Sequence, residues 1–220
     1  MKKIFTIIAC AGLLISCNSV DNTEDSNPEV DSEVTETAEV SEGMIEIDSD
    51  EALIATALMA APEESRAGCK VIGYNMAGEF VTLKEGDNEF ICLADDPNKS
   101  GFSAACYHKG LEPFMARGRE LAAEGKTSEE KFNIREEEVK AGTLEMGKPG
   151  STLHLYFGSD ALYNPESSIV NGAKYRYVVY IPWATSESTG LPEVPIAPNH
   201  PWIMNPGSHK AHIMISPLAD

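Results

Sequence analysis

His200, His209 and His212 fall within thirteen residues near the C-terminus, and neutral imidazoles gathered in this way are common ligands for zinc, iron or copper. Residues three apart on a strand point to opposite faces, so His209 and His212 converge only if His209 lies in the turn before the strand. With that geometry, His200, His209 and His212 are the candidate metal site, and a small metal-dependent hydrolase or redox protein is the alternative functional class. His108 and Glu112 are four apart at a helix entrance, the spacing that lets an imidazole and a carboxylate face the same way. A carboxylate in a first helical turn is also favoured by the helix dipole, so this pair is a candidate ligand-binding or acid/base element that has a structural explanation too. Trp183 and Trp202 sit in a proline-rich connection and would offer a stacking surface for a sugar if both rings were exposed on one side. The chain has no Gly-x-Ser-x-Gly elbow, phosphate loop, dinucleotide fingerprint, Cys-x-x-Cys or His-Glu-x-x-His. The leading expectation is therefore a non-catalytic binding or envelope-associated module with no cofactor.

Three cysteines, Cys69, Cys92 and Cys106, lie beyond the N-terminal region. In an oxidising compartment three thiols allow one bridge and one leftover. The segment between Cys92 and Cys106 is rich in turn-forming residues and can fold back so that the two sulfurs meet. A bridge closing a loop of that size stabilises by roughly 3 kcal/mol. The competing pair is Cys69 with Cys92 on neighbouring strands. The expected bridge is Cys92 to Cys106, with Cys69 a buried structural thiol. Asp96-Pro97-Asn98-Lys99-Ser100-Gly101 matches the start of a calcium loop, but Tyr107 stands where the twelfth-position glutamate belongs, so an Asp/Asn turn is expected.

The compartment is indicated by the first seventeen residues. Lys2 and Lys3 precede an apolar run from Ile4 to Ile15, the pattern of an export signal. Leu14-Ile15-Ser16-Cys17 resembles the lipobox of bacterial lipoproteins, which implies cleavage before Cys17 and acylation of its sulfur and new amino group. One acyl chain gives only marginal membrane binding, about 10⁴ M⁻¹, whereas two or three hold a protein permanently. The expectation is a lipid-anchored protein of the bacterial cell envelope, at the outer membrane, whose partner is the membrane itself through Cys17. From Asn18 to Gly43 there are nine acids, no bases and no aromatics, a composition that cannot bury enough apolar surface to fold. This divides the chain into a leader (1–16), an anchored acidic tether (17–47) and a globular domain (48–220). The whole chain has 35 acids and 17 bases and a net charge of −18, but residues 51–220 hold 23 and 15 of these, so the body is only moderately acidic. Without clustered Lys and Arg, nucleic acid is not an expected partner.

Within the body, Asp48-Ser49-Asp50-Glu51 opens an amphipathic helix running toward Pro62. Cys69–Tyr74, Glu79–Lys84 and Glu89–Leu93 are short β-prone runs separated by turn residues, which suggests an antiparallel meander. Leu111, Phe114, Met115, Leu121 and Ala122 share one helical face, and Thr127 with Glu130 forms a capping box for a second helix to about Ala141. Thr152–Gly158, Lys174–Ile181 and His209–Ser216 are expected strands. Six of the thirteen prolines lie between Pro182 and Pro206, and the long connection from Trp183 to Ser208 is expected to cover the sheet. The fold class is α+β: one domain, a mainly antiparallel sheet with a helical pair on one face and an N-terminal amphipathic helix.

Several segments together, Cys92-Leu93-Ala94-Asp95 with Cys106, Leu111 to Leu121 (LEPFMARGREL), Tyr180-Ile181-Pro182, Trp202-Ile203-Met204 and Ala211 to Ile215 (AHIMI), resemble a family of uncharacterised secreted or lipid-anchored bacterial proteins. The resemblance spans nearly all of residues 51–217. It implies a single domain and the Cys92 to Cys106 pairing, marks His108, Arg117, Glu120 and His212 as matching positions, and brings no activity with it.

Overall fold

The computed structural model describes residues 43–217; the leader, Cys17 and the tether up to residue 42 lie outside the described residues. In chain order the elements are β1 (Ile45–Glu46), α1 (Asp50–Leu58), β2 (Lys70–Tyr74), β3 (Phe80–Lys84), β4 (Phe90–Leu93), β5 (Phe102–His108), α2 (Glu112–Ala123), α3 (Ser128–Lys140), β6 (Thr152–Gly158), β7 (Leu162–Tyr163), β8 (Lys174–Tyr180), α4 (Ser186–Thr189), β9 (Trp202–Met204) and β10 (His212–Ile215). The α+β class is as expected. The described residues include structure before residue 48, where β1 pairs with β7 and Ile47 is buried.

Eight strands form one sheet in the order β3-β2-β4-β5-β6-β8-β10-β9. All pairings in it are antiparallel except β2 with β4, which run parallel with Val71 opposite Cys92. The expected meander of β2, β3 and β4 is therefore corrected. Strand β3 turns back onto the outer edge of β2, and the chain crosses behind to place β4 on the other side. The long proline-rich connection also differs from expectation, because it contributes α4 and the edge strand β9. Trp202 on β9 packs against the core, while Val194 and Ile196 in the same connection stay exposed, so only part of that segment covers the sheet.

Side chains alternate along each strand, and here both faces are buried. Phe102, Ala104 and Cys106 of β5 join Cys92, Tyr156 and the α1 residues Ala52, Leu53 and Ala57 in one core. Tyr107 points the other way, into a core with Leu111 and Phe114 of the α2 region, Val178, Tyr180 and Met214. The helices thus occupy both faces, which corrects the one-faced arrangement read from the sequence.

Local chemistry sets the helix ends. The Ser49 hydroxyl accepts from Ala52 N (3.2 Å) at the start of α1, and in α3 the capping box is complete, with Glu130 N donating to Thr127 Oγ1 (3.2 Å) and Thr127 N to Glu130 Oε2 (2.8 Å). Helices α2 and α3 are clamped by Arg117, whose Nε donates to Glu138 at 3.0 Å, and by Arg135, whose guanidinium lies 4.1 Å from the Phe114 ring centroid.

Gly86 shows how closely the loop after β3 lies against the chain that leads into β2. A methyl group there would collide with the backbone of Gly68, Cys69 and Lys70. Replacing Gly86 with Ala is expected to lower unfolding free energy by roughly 1–3 kcal/mol, the usual cost of overpacking, as read from a denaturant midpoint. An unchanged midpoint would mean that this loop does not press on the entrance to β2.

Candidate functional site

Cys69 follows a 3-10 segment, Glu63–Gly68, and immediately precedes β2. Its position is fixed from several directions. Its thiol donates to Ser65 O (3.2 Å), Lys84 Nζ donates to its carbonyl (2.9 Å), and Asn88 Nδ2 ties the same segment down through Ser65 O (2.7 Å). The parallel pairing of β2 and β4 then sets Cys69 beside Cys92, and the antiparallel pairing of β4 and β5 puts Cys106 directly opposite Cys92. The three Sγ atoms all lie within 4.8 Å of one another, beneath α1, and none of the three residues is exposed. Among the described residues no other group of three or more His, Cys, Asp or Glu side chains brings its ligand atoms together in this way.

The Cys92 and Cys106 sulfurs are 2.9 Å apart, adjacent but longer than the ~2.05 Å of a disulfide. The two residues that the sequence paired are brought together as thiols, and Cys69, expected to be an isolated structural thiol, is their immediate neighbour. The Cys69 thiol is pushed up strongly, first by its hydrogen bond with Cys92 and then by burial. Cys92 is pushed up as well, chiefly by its hydrogen bond with Cys106. Thiols in this state are poor nucleophiles, because the thiolate is the reactive form.

The histidines do not assemble as the sequence suggested. His209 does lie in the turn before β10, the position required for convergence with His212. Its Nδ1, however, is 3.1 Å from Glu136 Oε2 on α3, and its ring, wholly buried, packs edge-on against Phe132 (4.8 Å) and Phe114 (5.6 Å). His212 Nδ1 lies 2.7 Å from the Lys210 carbonyl, and His200 has a buried Nδ1 with no partner. His200, His209 and His212 therefore do not form a metal site among the described residues. His209 instead pins the end of the proline-rich connection to the helical pair.

His108 and Glu112 also separate. Glu112 accepts from Tyr107 OH (2.5 Å) and from Arg119 Nη2 (2.6 Å), whereas the imidazole of His108 accepts from Gly110 N (3.1 Å) and approaches Glu89 (3.7 Å). The two Trp residues differ in exposure. Trp183 is exposed, with Lys140 Nζ 5.9 Å from its ring, and Trp202 is half-buried against the core, so the expected pair of exposed rings is not present.

His108 does belong to a groove of about 740 Å³ that sequence reasoning missed, lined by Glu89, His108, Gly110, Glu145, Gly147, Lys148 and Ser151. The loop from Glu145 to Ser151 forms one wall. It is seated by buried Met146 and by two backbone bonds, Gly150 N to Tyr180 O (2.7 Å) and Tyr180 N to Ser151 O (2.9 Å). Gly147 stands at φ +67°, a conformation that favours glycine, and a Cβ there would sit 3.0 Å from Ser151 Oγ and 3.1 Å from Gly110 O. The Lys109 ammonium beside Glu89 holds that carboxyl below its usual range. The groove lining therefore carries both signs of charge, the Glu89 and Glu145 carboxylates and the Lys148 ammonium.

No protein-family model, curated protein or solved structure matches this chain.

Burial holds the rings of His154, His209 and His212 below the ordinary histidine value; the Glu136 carboxylate opposes this at His209 and the Lys210 carbonyl at His212. Lys210 and Arg135 also face His209 and add to its depression. Above pH ~6.5 both folded and unfolded chains carry neutral rings. Below it the unfolded chain takes up protons that the folded one resists, so stability falls as the pH drops, by about 1.4 kcal/mol per pH unit for each such proton. Denaturant unfolding between pH 7.5 and 5.5 (roughly bracketing that pKa) is expected to show a falling midpoint, with His209→Gln flattening the slope. A pH-independent midpoint would contradict this assignment.

Proposed function

We propose that this chain is a lipid-anchored protein of a bacterial cell envelope, at the outer membrane, whose folded body is a non-catalytic module that binds a small polar ligand. The observation that carries the binding half is the groove at the end of β5. Its volume lies in the ~300–1,000 Å³ range of small-molecule sites, and its lining holds the Lys148 ammonium together with the Glu89 and Glu145 carboxylates. A site with both signs of charge suits a ligand that carries both, such as an amino acid or a short peptide. His108 lies beside the anionic wall, with one ring nitrogen already occupied by Gly110 N, so it presents a single nitrogen to the groove. The anchoring half rests on Leu14-Ile15-Ser16-Cys17 and on the acidic stretch after it, which would hold the body away from the bilayer. No helix of the described residues is long and apolar enough to cross a membrane.

Two measurements test the reading separately. The mature chain is expected to begin at an acylated Cys17, and Cys17→Ala is expected to move it from the membrane to the soluble fraction. An unmodified thiol at Cys17 would remove the anchor. For the groove, thermal unfolding in the presence of free amino acids and dipeptides should reveal at least one that raises Tm, because a ligand at a hundred times its Kd adds about 2.7 kcal/mol. The exposed substitution Lys148→Glu should leave Tm without ligand unchanged and abolish the shift. A shift that survives Lys148→Glu, or none across the panel, would refute the groove as the site.

A further inference from the structure

We propose that Cys69, Cys92 and Cys106 form a binding site for one thiophilic d10 cation, with copper(I) the ion that fits. The ligand set consists only of sulfur, and soft thiolate sites select copper(I), zinc or iron–sulfur centres. Structural zinc takes four ligands in a tetrahedron, and the described residues supply three here, with no fourth His, Cys or carboxylate beside them. Copper(I) is satisfied by three sulfurs in a plane.

The geometry is close to what such an ion needs. Three sulfurs about 2.3 Å from a central metal, the usual metal–thiolate distance, stand roughly 4 Å apart. The Sγ atoms lie within 4.8 Å of one another, and Cys92 and Cys106, at 2.9 Å, must open by about 1 Å, a rotamer adjustment across one strand pair. The three come from separate elements, so the backbone pairing of β2, β4 and β5 sets the triangle before any ion arrives.

Burial in the apolar core under α1 disfavours three free thiolates, and the thiols consequently hold their protons in the absence of a cation. A central ion reverses that balance, because it replaces the protons and leaves its charge among the sulfurs. The exchange is a ligand substitution: Cu⁺ enters, Cu–S bonds form, the S–H protons leave to water, and no electron moves. The resulting anionic cluster has two groups placed to favour it. Asn88 Nδ2 lies 3.8 Å from Cys69 Sγ, and the Lys84 ammonium is held at the Cys69 carbonyl. Since none of the three cysteines is exposed, the ion must enter as the core opens or while the chain folds.

The test uses the full-length chain purified from membranes in detergent, reduced under anaerobic conditions and titrated with copper(I) against a chromophoric copper(I) chelator. Wild type is expected to bind one ion that Cys69→Ala loses by more than about a hundredfold in affinity, with the variant's far-UV circular dichroism unchanged. Equal affinity in wild type and Cys69→Ala would overturn the proposal, since Cys92 and Cys106 alone, or other thiols, would then hold the metal. So would peptide mapping that finds Cys92 bonded to Cys106 through the reduction, with no copper taken up. Should Cys69→Ala fail to fold, X-ray absorption on the loaded wild type decides the matter by counting sulfur neighbours. Three support the site, and two refute it.

Discussion

Strand β5 carries the constraint on which the rest of the molecule depends, because its two faces supply two different cores. Phe102, Ala104 and Cys106 enter the core under α1, whereas Tyr107 enters the core under α2 and Ser103 is exposed. A slip of one residue in its register would send Cys106 toward the helical pair and Tyr107 into the cysteine cluster, exchanging the contents of the two cores. The same alternation leaves His108 at the end of the strand, where the backbone turns into α2 and the groove begins. Cluster, groove and helix entrance are thus positioned by one seven-residue strand whose register is fixed by β4 on one side and β6 on the other.

The two layers of helix are joined to this sheet by different means. Helix α1 contributes small side chains, Ala52 and Ala57 with Leu53, and lets the sheet approach closely. Helices α2 and α3 are tied to each other by Arg117 to Glu138 and by Arg135 over Phe114, and α2 is tied to the sheet where the Tyr107 hydroxyl of β5 donates to Glu112 and accepts from Arg119. The phenol of Tyr107 is pushed up strongly by burial and then by its bond to Glu112, and that of Tyr180 to about 12 by burial. Both therefore remain neutral, Tyr107 as a donor to Glu112 and Tyr180 as a filler of the second core.

Local signals in the sequence were reliable where the element is local. The capping box at Thr127 and Glu130 marks α3, and the β-rich run from Thr152 to Gly158 marks β6, because each is written in adjacent residues. Strand β5 went unseen, since Ser103, Ala104, Ala105 and Cys106 are small and carry no strong β preference; its strand character comes from the neighbours on either side. The parallel pairing of β2 with β4 was hidden for a related reason, as nothing in a turn-rich sequence distinguishes a hairpin from a chain that doubles back and crosses over. That one pairing decides the site. Cys92 and Cys106 are legible as partners from their spacing, whereas Cys69 joins them only through it. The histidines misled in the opposite way. His209 and His212 are close in sequence, but the partner that matters to His209 is Glu136, 73 residues earlier.

Strand β10 lies in the interior of the sheet, between β8 and β9, although it is formed almost at the end of the chain. Until His212–Ile215 is in place, β8 has no neighbour on that side and β9 has none at all. The hydrogen bonds that complete the sheet, and the contacts of Met214 with the second core, become possible only then. A chain that lacks His212–Ile215 would therefore keep an open strand edge on β8 and leave β9 without a partner.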